Sequence, residues 1–447
     1  MKLGALVEKV YFDSNPLHRK DYEKGRKFFI FECCFGVGVY SLTSGAFLAG
    51  LANYMGATDE FNGIVGAIPV FAGVIQIFSG LVFEKMERRK FLVSMLCISF
   101  RILLGLMFFI PLAFDSQNAR LAALAGTYGV AYLLASFSTP PANNWLVSLT
   151  PEHIRGKYLA KRDAYSLAFL TAITLIVGKV LDIFKQAGNE KMGFVFMGFL
   201  VMAMAVLNFC SISSIKEPKM EVSRVQLKFR DIFLKPLRDS KFKLIIVLFI
   251  LWNIGLQIAG PFFAVYMVTG IKLSYSYIML MGVLSSIARI ITVPYWGKLA
   301  DHKSWITCTK YSLGMLGIIH ACWLFVNNTT APVLVPFLHV LSGIAWGGIN
   351  MAMFNIQFLF SPKEGKTIYL GVNAALGGVL GFLSTIVGSM ILGMLQGLNF
   401  NIGFITIGNM QIIFLMSGML ILATALYAHA FLKDNVPKKL AAAKVNC

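Results

Sequence analysis

Charge is scarce in this chain. Of its 447 residues only 14% are charged and 57% are hydrophobic, with a mean hydropathy of +0.71, which excludes a soluble globular domain of this size. Acid is scarcer still: 21 Asp and Glu stand against 40 Lys and Arg. The longest internal hydrophilic stretch is 216–243, too short for a soluble domain. Both the phosphate-binding pattern G-x-x-x-x-G-K-[ST] and the metalloprotease pattern H-E-x-x-H are missing, so nothing supports an ATP-driven pump or a membrane protease, and no enzyme activity is expected. The seven cysteines are scattered without metal-ligand spacing, and the adjacent Cys33 and Cys34 point to different helix faces. They read as small apolar packing residues; no disulfide framework, metal or cofactor is expected.

Apolar sequence is abundant, in runs of roughly 20 residues or more, the length a helix needs to cross the hydrocarbon core. A barrel would instead show short alternating segments of about ten. The chain is therefore expected to be an all-α membrane protein. Reading from one charge cluster to the next places spans near 28–52, 60–83, 91–113, 120–142, 164–184 and 192–215, then near 244–270, 275–297, 305–327, 331–360, 367–395 and 406–432. An even count of twelve puts both termini on one side.

The basic residues choose that side. Those before the first span, Lys85, Arg88, Arg89 and Lys90, Arg155, Lys157, Lys161 and Arg162, the nine between Lys216 and Lys243, Lys298, Lys303, Lys363, Lys366 and the four after the last span all share it. Only Arg120, Lys185, Lys191 and Lys272 fall opposite. The positive-inside rule makes both termini cytoplasmic, with the plasma membrane as the expected location. The net charge of +19 thus reports orientation and contact with anionic lipid headgroups, and no nucleic-acid partner is expected. No apolar core with a cleavage site precedes the charged stretch 18–27, which argues against a secretory signal. Leu3, Leu6, Val7, Val10 and Tyr11 instead share one helical face and predict a short interfacial helix.

Around the hydrophilic segment 216–243 the chain repeats itself. Gly80-Leu81-Val82-Phe83-Glu84-Lys85, at the end of the second span, returns as Gly297-Lys298-Leu299-Ala300-Asp301-His302 at the end of the eighth. A longer pair aligns Asn144 with Asn355, Pro151 with Pro362, Arg155 with Lys366 and Tyr158 with Tyr369. Both landmarks fall on the same side of each six-helix half, so the repeat is parallel. The organisation read from this is an N-terminal segment 1–27, a six-helix bundle 28–215, a linker 216–243, a second bundle 244–432 and a tail 433–447.

A glycine, an acid and a basic cluster between helices two and three, repeated between eight and nine of a 6+6 chain, resemble the major facilitator superfamily of secondary transporters. The pattern there is G-x-L-x-D-[RK]-x-G-[RK]-[RK]; Gly80, Lys85, Arg88 and Arg89 match it, while Val82, Glu84 and Glu87 depart from it. The second copy keeps the front, Gly297, Leu299 and Asp301, and loses the basic back half. The resemblance covers about 28–432 and assigns no subfamily. It implies two bundles that rock about a midplane cavity, with the loops as latches. Gly80 would let helix two approach helix eleven closely, Glu84 would face the dipole end of helix eleven near Lys366, and Asp301 would face the start of helix five near Asp163. Arg88, Arg89, Arg155 and Arg162 would add charge pairs to the same latch.

Ionisable residues inside spans are the other informative class, because charge at membrane depth is costly. Arg289 shares a face of helix eight with Ser285 and Thr292 and is the leading candidate to meet an anionic solute. Glu32 lines up with Gly36 and Tyr40 on helix one; it is read as a proton carrier, a partner of Arg289 or Arg101, or a solvated group near the interface. Lys179 and Asp182, at i and i+3, are expected to pair locally, and Arg101 and His320 to be structural. Helix ten carries His339, Ser342, Trp346 and Asn350 as a polar stripe, and helix seven carries Asn253 and Gln257 ahead of Pro261. Helix five lacks the glycine-proline motif of many drug/proton antiporters of the superfamily. The resemblance therefore implies a monomeric secondary transporter of a small organic solute, with protons and membrane lipids as further partners. A polytopic lipid-handling protein, a scramblase or membrane-embedded enzyme, is the alternative.

Overall fold

The computed structural model describes residues 8, 10–12, 16–83, 85–219, 229–362, 366–402 and 405–432. The described residues form twelve helical spans. They are α1 (Arg19–Leu42, then Gly45–Tyr54), α2 (Asp59–Ala72 and Gln76–Phe83), α3 (Lys90–Ala113), α4 (Gln117–Ser148), α5 (Glu152–Gln186) and α6 (Glu190–Ser213). They continue as α7 (Ser240–Gly270), α8 (Tyr275–His302), α9 (Trp305–Cys322), α10 (Ala331–Phe360), α11 (Lys366–Met394) and α12 (Asn409–Phe431). Nine are long and apolar enough to cross a membrane unaided, and the bent pair in α1 makes ten.

Local chemistry explains the irregular places. In α1 the Thr43 and Ser44 hydroxyls donate back to the carbonyls of Val39 and Tyr40, Gly45 takes φ +56°, and the helix bends by 41°. Two prolines, Pro140 and Pro141, sit inside α4 and withdraw the N–H donors of the Ser136 and Phe137 carbonyls; the Ser79 hydroxyl donates to the freed Phe137 carbonyl at 2.6 Å, and the hydroxyls of Ser138 and Thr139 donate to the Ala135 carbonyl. Helix starts carry capping acceptors: Ser116 receives Ala119 N–H, Asp239 receives Lys241 and Phe242 N–H, and Ser304 receives Thr307 N–H.

The hydropathy edges fall short of several helix ends. The span expected at 120–142 runs on to Ser148, the one at 164–184 begins at Glu152, and the one at 275–297 ends at His302. Hydropathy locates the hydrocarbon layer, whereas the hydrogen-bond ladder continues into the polar region beyond it. Before α12 a two-stranded hairpin, Phe400–Ile402 against Ile405–Ile407, replaces the helix expected from 406. A ten-residue helix, Phe229–Arg238, lies in the linker.

Two compact units emerge, and they do not follow chain order. The first comprises Met1–Gln226, Gly260–Leu280 and Thr385–Gly393; the second comprises Leu227–Ala259, Met281–Ser384 and Met394–Cys447. Within the first, α6 packs on α1 and α3, α1 on α5, and α3 on α4. Within the second, α9 packs on α12 and α10, and α7 on α12. The pairs α3–α4, α3–α6 and α1–α6 thus recur as α9–α10, α9–α12 and α7–α12. Matching tyrosines brace matching helix bases: Tyr158 donates to the Arg26 carbonyl below α1, and Tyr369 to the Asp239 carboxylate below α7.

Close approach does the packing, as expected where lipid removes the hydrophobic drive between helices. At Gly343 of α10 a Cβ would collide with the backbone carbonyl of Ser285 in α8, and one residue on the Trp296 indole N–H donates to the Ile344 carbonyl at 2.8 Å. In the first unit Tyr275 occupies the space a Cβ on Gly50 would need, and Phe262 does the same at Gly63.

Candidate functional site

The charged loop after α2 is tied to its surroundings by its backbone as much as by its side chains. Gly80 lies in the last turns of α2, and Glu84 lies outside the described residues. Arg89 and Lys90 are buried, and the Glu217 carboxylate, at the start of the linker, accepts from Arg89 N–H at 2.8 and 2.9 Å and from Lys90 N–H at 2.9 Å. Glu217 thereby satisfies amides at the start of α3 that have no intrahelical acceptor, and its negative charge suits that helix end. The Lys90 ammonium donates to the Val10 carbonyl at 2.7 Å and lies 5.3 Å from the Tyr11 ring, and the Arg88 guanidinium donates to the Phe12 carbonyl. These cations hold the N-terminal segment. Of the interfacial helix expected there, Leu3, Leu6 and Val7 lie outside the described residues; Val10 and Tyr11 are helical.

Burial is the larger influence on Glu217 and pushes its carboxyl above the ordinary carboxylate range, while the Lys90 and Arg89 N–H groups pull it back. A carboxyl whose folded value is raised contributes stability below its unfolded value and loses that contribution as pH rises through the folded one. The thermal midpoint of the wild type is therefore expected to fall, relative to Glu217→Gln, as pH rises out of the ordinary carboxylate range. Midpoints of the two proteins in detergent across that window check this; a constant gap would remove the effect.

The other latch candidates are placed singly. Arg155 donates to the Thr150 carbonyl at 3.3 Å, and Arg162 reaches its neighbour Asp163 at 3.4 Å; the Nε atoms of both are buried without a partner among the described residues. Gly297 is half-buried on α8, with only the Met351 methyl near the position of a Cβ. Asp301 is exposed and makes no ion pair among the described residues.

Inside the spans Glu32 ties α1 to α3 and α6. Its Oε1 receives Arg101 Nη2 at 3.2 Å and Asn208 Nδ2 at 3.3 Å, and its carbonyl receives Asn208 Nδ2 at 2.7 Å. The Arg101 side chain is 4% exposed and that of Glu32 is 19% exposed. Arg101 Nη1 donates to the Cys97 carbonyl, and a Cβ at Gly36 would meet Arg101 Nη2 at 2.9 Å. One turn along α1, Tyr40 stacks on Phe100 and tilts against Tyr132. Among the alternatives read for Glu32, the described structure joins it to Arg101. Asn208, which completes the cluster, was not singled out in the sequence; its signal is a lone amide in the apolar run of α6.

The second unit distributes its polar residues. Arg289 is half-buried in α8, and its guanidinium has no hydrogen-bond or ion-pair partner among the described residues. Asn253 donates to the Phe249 carbonyl, and with Gln257 it faces Gly377 and Gly381 of α11. The helix-ten stripe separates: His339 Nδ1 contacts the Val335 carbonyl with its ring against Trp323, Trp346 meets Trp252 edge-on at 5.7 Å, and Asn350 is exposed. His320 bonds Ser417 between α9 and α12. No group of three metal-binding side chains occurs among the described residues.

The sequence signature of the Major Facilitator Superfamily matches residues 28–385. The chain belongs to that superfamily. No curated protein matches its sequence, but the fold has solved counterparts. The superfamily member described here is similar to the nucleoside transporter NupG, with TM-score 0.70 and 13% identity over 92% of this chain and 100% of the other. It is also similar to a bacterial homologue of the iron transporter ferroportin in an inward-facing state, with TM-score 0.67 and 14% identity over 93% and 99%. The xylose transporter XylE from E. coli, in an inward open conformation, gives TM-score 0.58 and 14% identity over 95% and 98%. At these identities the likeness concerns the fold. Family and fold together make this superfamily member an integral, multi-pass secondary transporter.

Proposed function

We propose that the transporter moves a small organic solute bearing an anionic group, recognised by Arg289 and driven by protons that Glu32 carries. One observation carries the solute reading: a guanidinium, always charged, is half-buried mid-helix in α8 with no protein acceptor among the described residues. Charge at that depth is costly without a counter-charge, and a carboxylate or phosphate-bearing solute supplies one with matching geometry. NupG and XylE, by their names carriers of nucleosides and xylose, support a small organic solute. For Glu32, the support is a carboxylate with one oxygen tethered to Arg101 and Asn208 and a side chain still 19% exposed. In this reading 28–215 and 244–432 are the rocking bundles of a monomer, both termini face the cytoplasm across the plasma membrane, and Gly80, Glu84, Arg88, Arg89, Arg155, Arg162, Gly297 and Asp301 bias its closure there.

Purified protein in proteoliposomes tests this with a panel of labelled organic anions and an imposed pH gradient. Uptake of at least one anion is expected to rise with the gradient. Arg289→Ala should cut that uptake by roughly 30-fold or more, the effect of truncating a desolvated charge partner. The pair Glu32→Gln with Arg101→Met, which removes the titrating group without stranding a buried charge, should abolish the response to the gradient while leaving gradient-free exchange. Uptake indifferent to both changes, or lipid movement with no solute flux, overturns the reading.

A further inference from the structure

The far end of α5, away from the chain termini, holds a carboxylate whose partners are all on α8. Asp182 Oδ1 accepts Tyr275 N–H at 2.8 Å, and Oδ2 accepts Ser276 N–H at 2.8 Å and the Ser276 hydroxyl. Asp182 is 5% exposed. The local pair expected with Lys179 is not among the ion pairs of the described residues. The next amides of α8 are satisfied from within the turn: Tyr277 N–H donates to the Ser274 hydroxyl and Ile278 N–H to the Ser274 carbonyl. Asp182 therefore takes the orphan N–H groups of a helix that starts 93 residues later in the chain, and its buried charge rests on that helix end.

The surroundings fit a movable joint. Beside the carboxylate, Tyr275 fills the space over Gly50 and stacks on Phe47, its hydroxyl donates to Glu190 at 3.4 Å, and Lys185 lies 5.4 Å from its ring. Gly178, one turn before Asp182, leaves room for the Ser276 backbone. Two further tips are held nearby in the chain's first unit: the Thr269 hydroxyl donates to Asp59, and the Ser389 hydroxyl to the Glu60 carbonyl. Yet α8 belongs to this unit only as far as Leu280 and continues in the other from Met281.

We propose that Asp182 is a clamp: it holds the start of α8 against the far end of α5, and its release is the step that opens that side of the transporter. The proposal rests on the alternating-access reading, and its support is geometric: a buried carboxylate, three donors from one helix tip, and an aromatic key seated over Gly50. The hydrogen bonds are charge-assisted and directional, so they form fully or are lost together when the tip withdraws. Glu190 and Lys185 act on Tyr275, leaving Asp182 as the group whose charge is committed to the helix end.

Cysteine accessibility tests the clamp without any substrate. On a background with the seven native cysteines replaced by alanine, Ile278→Cys, buried in the clamped state, reports withdrawal of the tip to a membrane-impermeant maleimide. Asp182→Asn is expected to speed labelling on the order of tenfold, since hydrogen bonds to a charged group are worth more than neutral ones, and Asp182→Glu should lie between. Lys272→Gln, a charge change on the neighbouring exposed residue, should leave the rate unchanged. Should Asp182→Asn not yield folded protein, Ser276→Ala removes one of the three contacts and keeps the buried charge; it too is expected to speed labelling. Rates unchanged in the folded variants overturn the clamp. Solute flux on the same proteins keeps the two readings apart: flux with unchanged labelling overturns the clamp alone, and faster labelling with no flux of any solute overturns the transport reading alone.

Discussion

Arg101→Met is expected to cost about 3–5 kcal/mol, because it strands the Glu32 carboxylate among apolar helices with only Asn208 to answer it. The cost belongs to the broken pair and not to either residue. Glu32→Gln alone should be at least as damaging, since the Arg101 side chain is the more deeply buried member and its cation would lose its counter-charge, keeping only neutral partners such as the Cys97 carbonyl and the Phe100 ring. The double variant, Glu32→Gln with Arg101→Met, removes both charges and should recover most of the loss, as neutral replacements of buried ion pairs commonly do. Thermal midpoints of the four proteins in one detergent close the cycle. Additive single losses would show that the two side chains do not act as a pair.

Gly343→Ala is the second large effect. A single methyl there meets the Ser285 carbonyl, a backbone atom that no rotamer change can move aside, so α8 and α10 must separate and the Trp296 to Ile344 hydrogen bond must stretch. Overpacking of this kind costs about 1–3 kcal/mol where side chains can yield, and more where they cannot. Gly314→Ala, on α9 of the same unit, meets nothing within 4 Å and should instead gain up to about 1 kcal/mol from helix propensity. Measured together, the two alanines should move the thermal midpoint in opposite directions. An unchanged or raised midpoint for Gly343→Ala would mean that α8 and α10 do not depend on the missing Cβ.

Much of the architecture was legible because the bilayer writes it in apolar length. All twelve spans were recognisable from the spacing of charge clusters, and Tyr158 and Tyr369, paired from sequence alone, brace corresponding helix bases. Partners were harder to read. Asp182 and Lys179 sit one turn apart on α5, which suggested a local pair, but the free amides of α8 offer a better-oriented counterpart that no spacing along α5 could announce. The same holds for Glu217, which the sequence leaves as one charge in a basic linker and which the fold places against the amides of Arg89 and Lys90. Backbone donors carry no residue identity, so contacts made to them leave no motif.

The composition of the first unit also constrains how the chain is made. Its last piece, Thr385–Gly393, follows more than a hundred residues that belong to the second unit. Synthesis proceeds from the N-terminus at about 5–20 residues per second, so the ribosome has passed most of the message before the first unit can be completed. The surfaces at Gly50 and Gly63 face whatever the nascent chain meets until Phe262 and Tyr275 have been made and cover them, and the first unit waits longer still for its last piece.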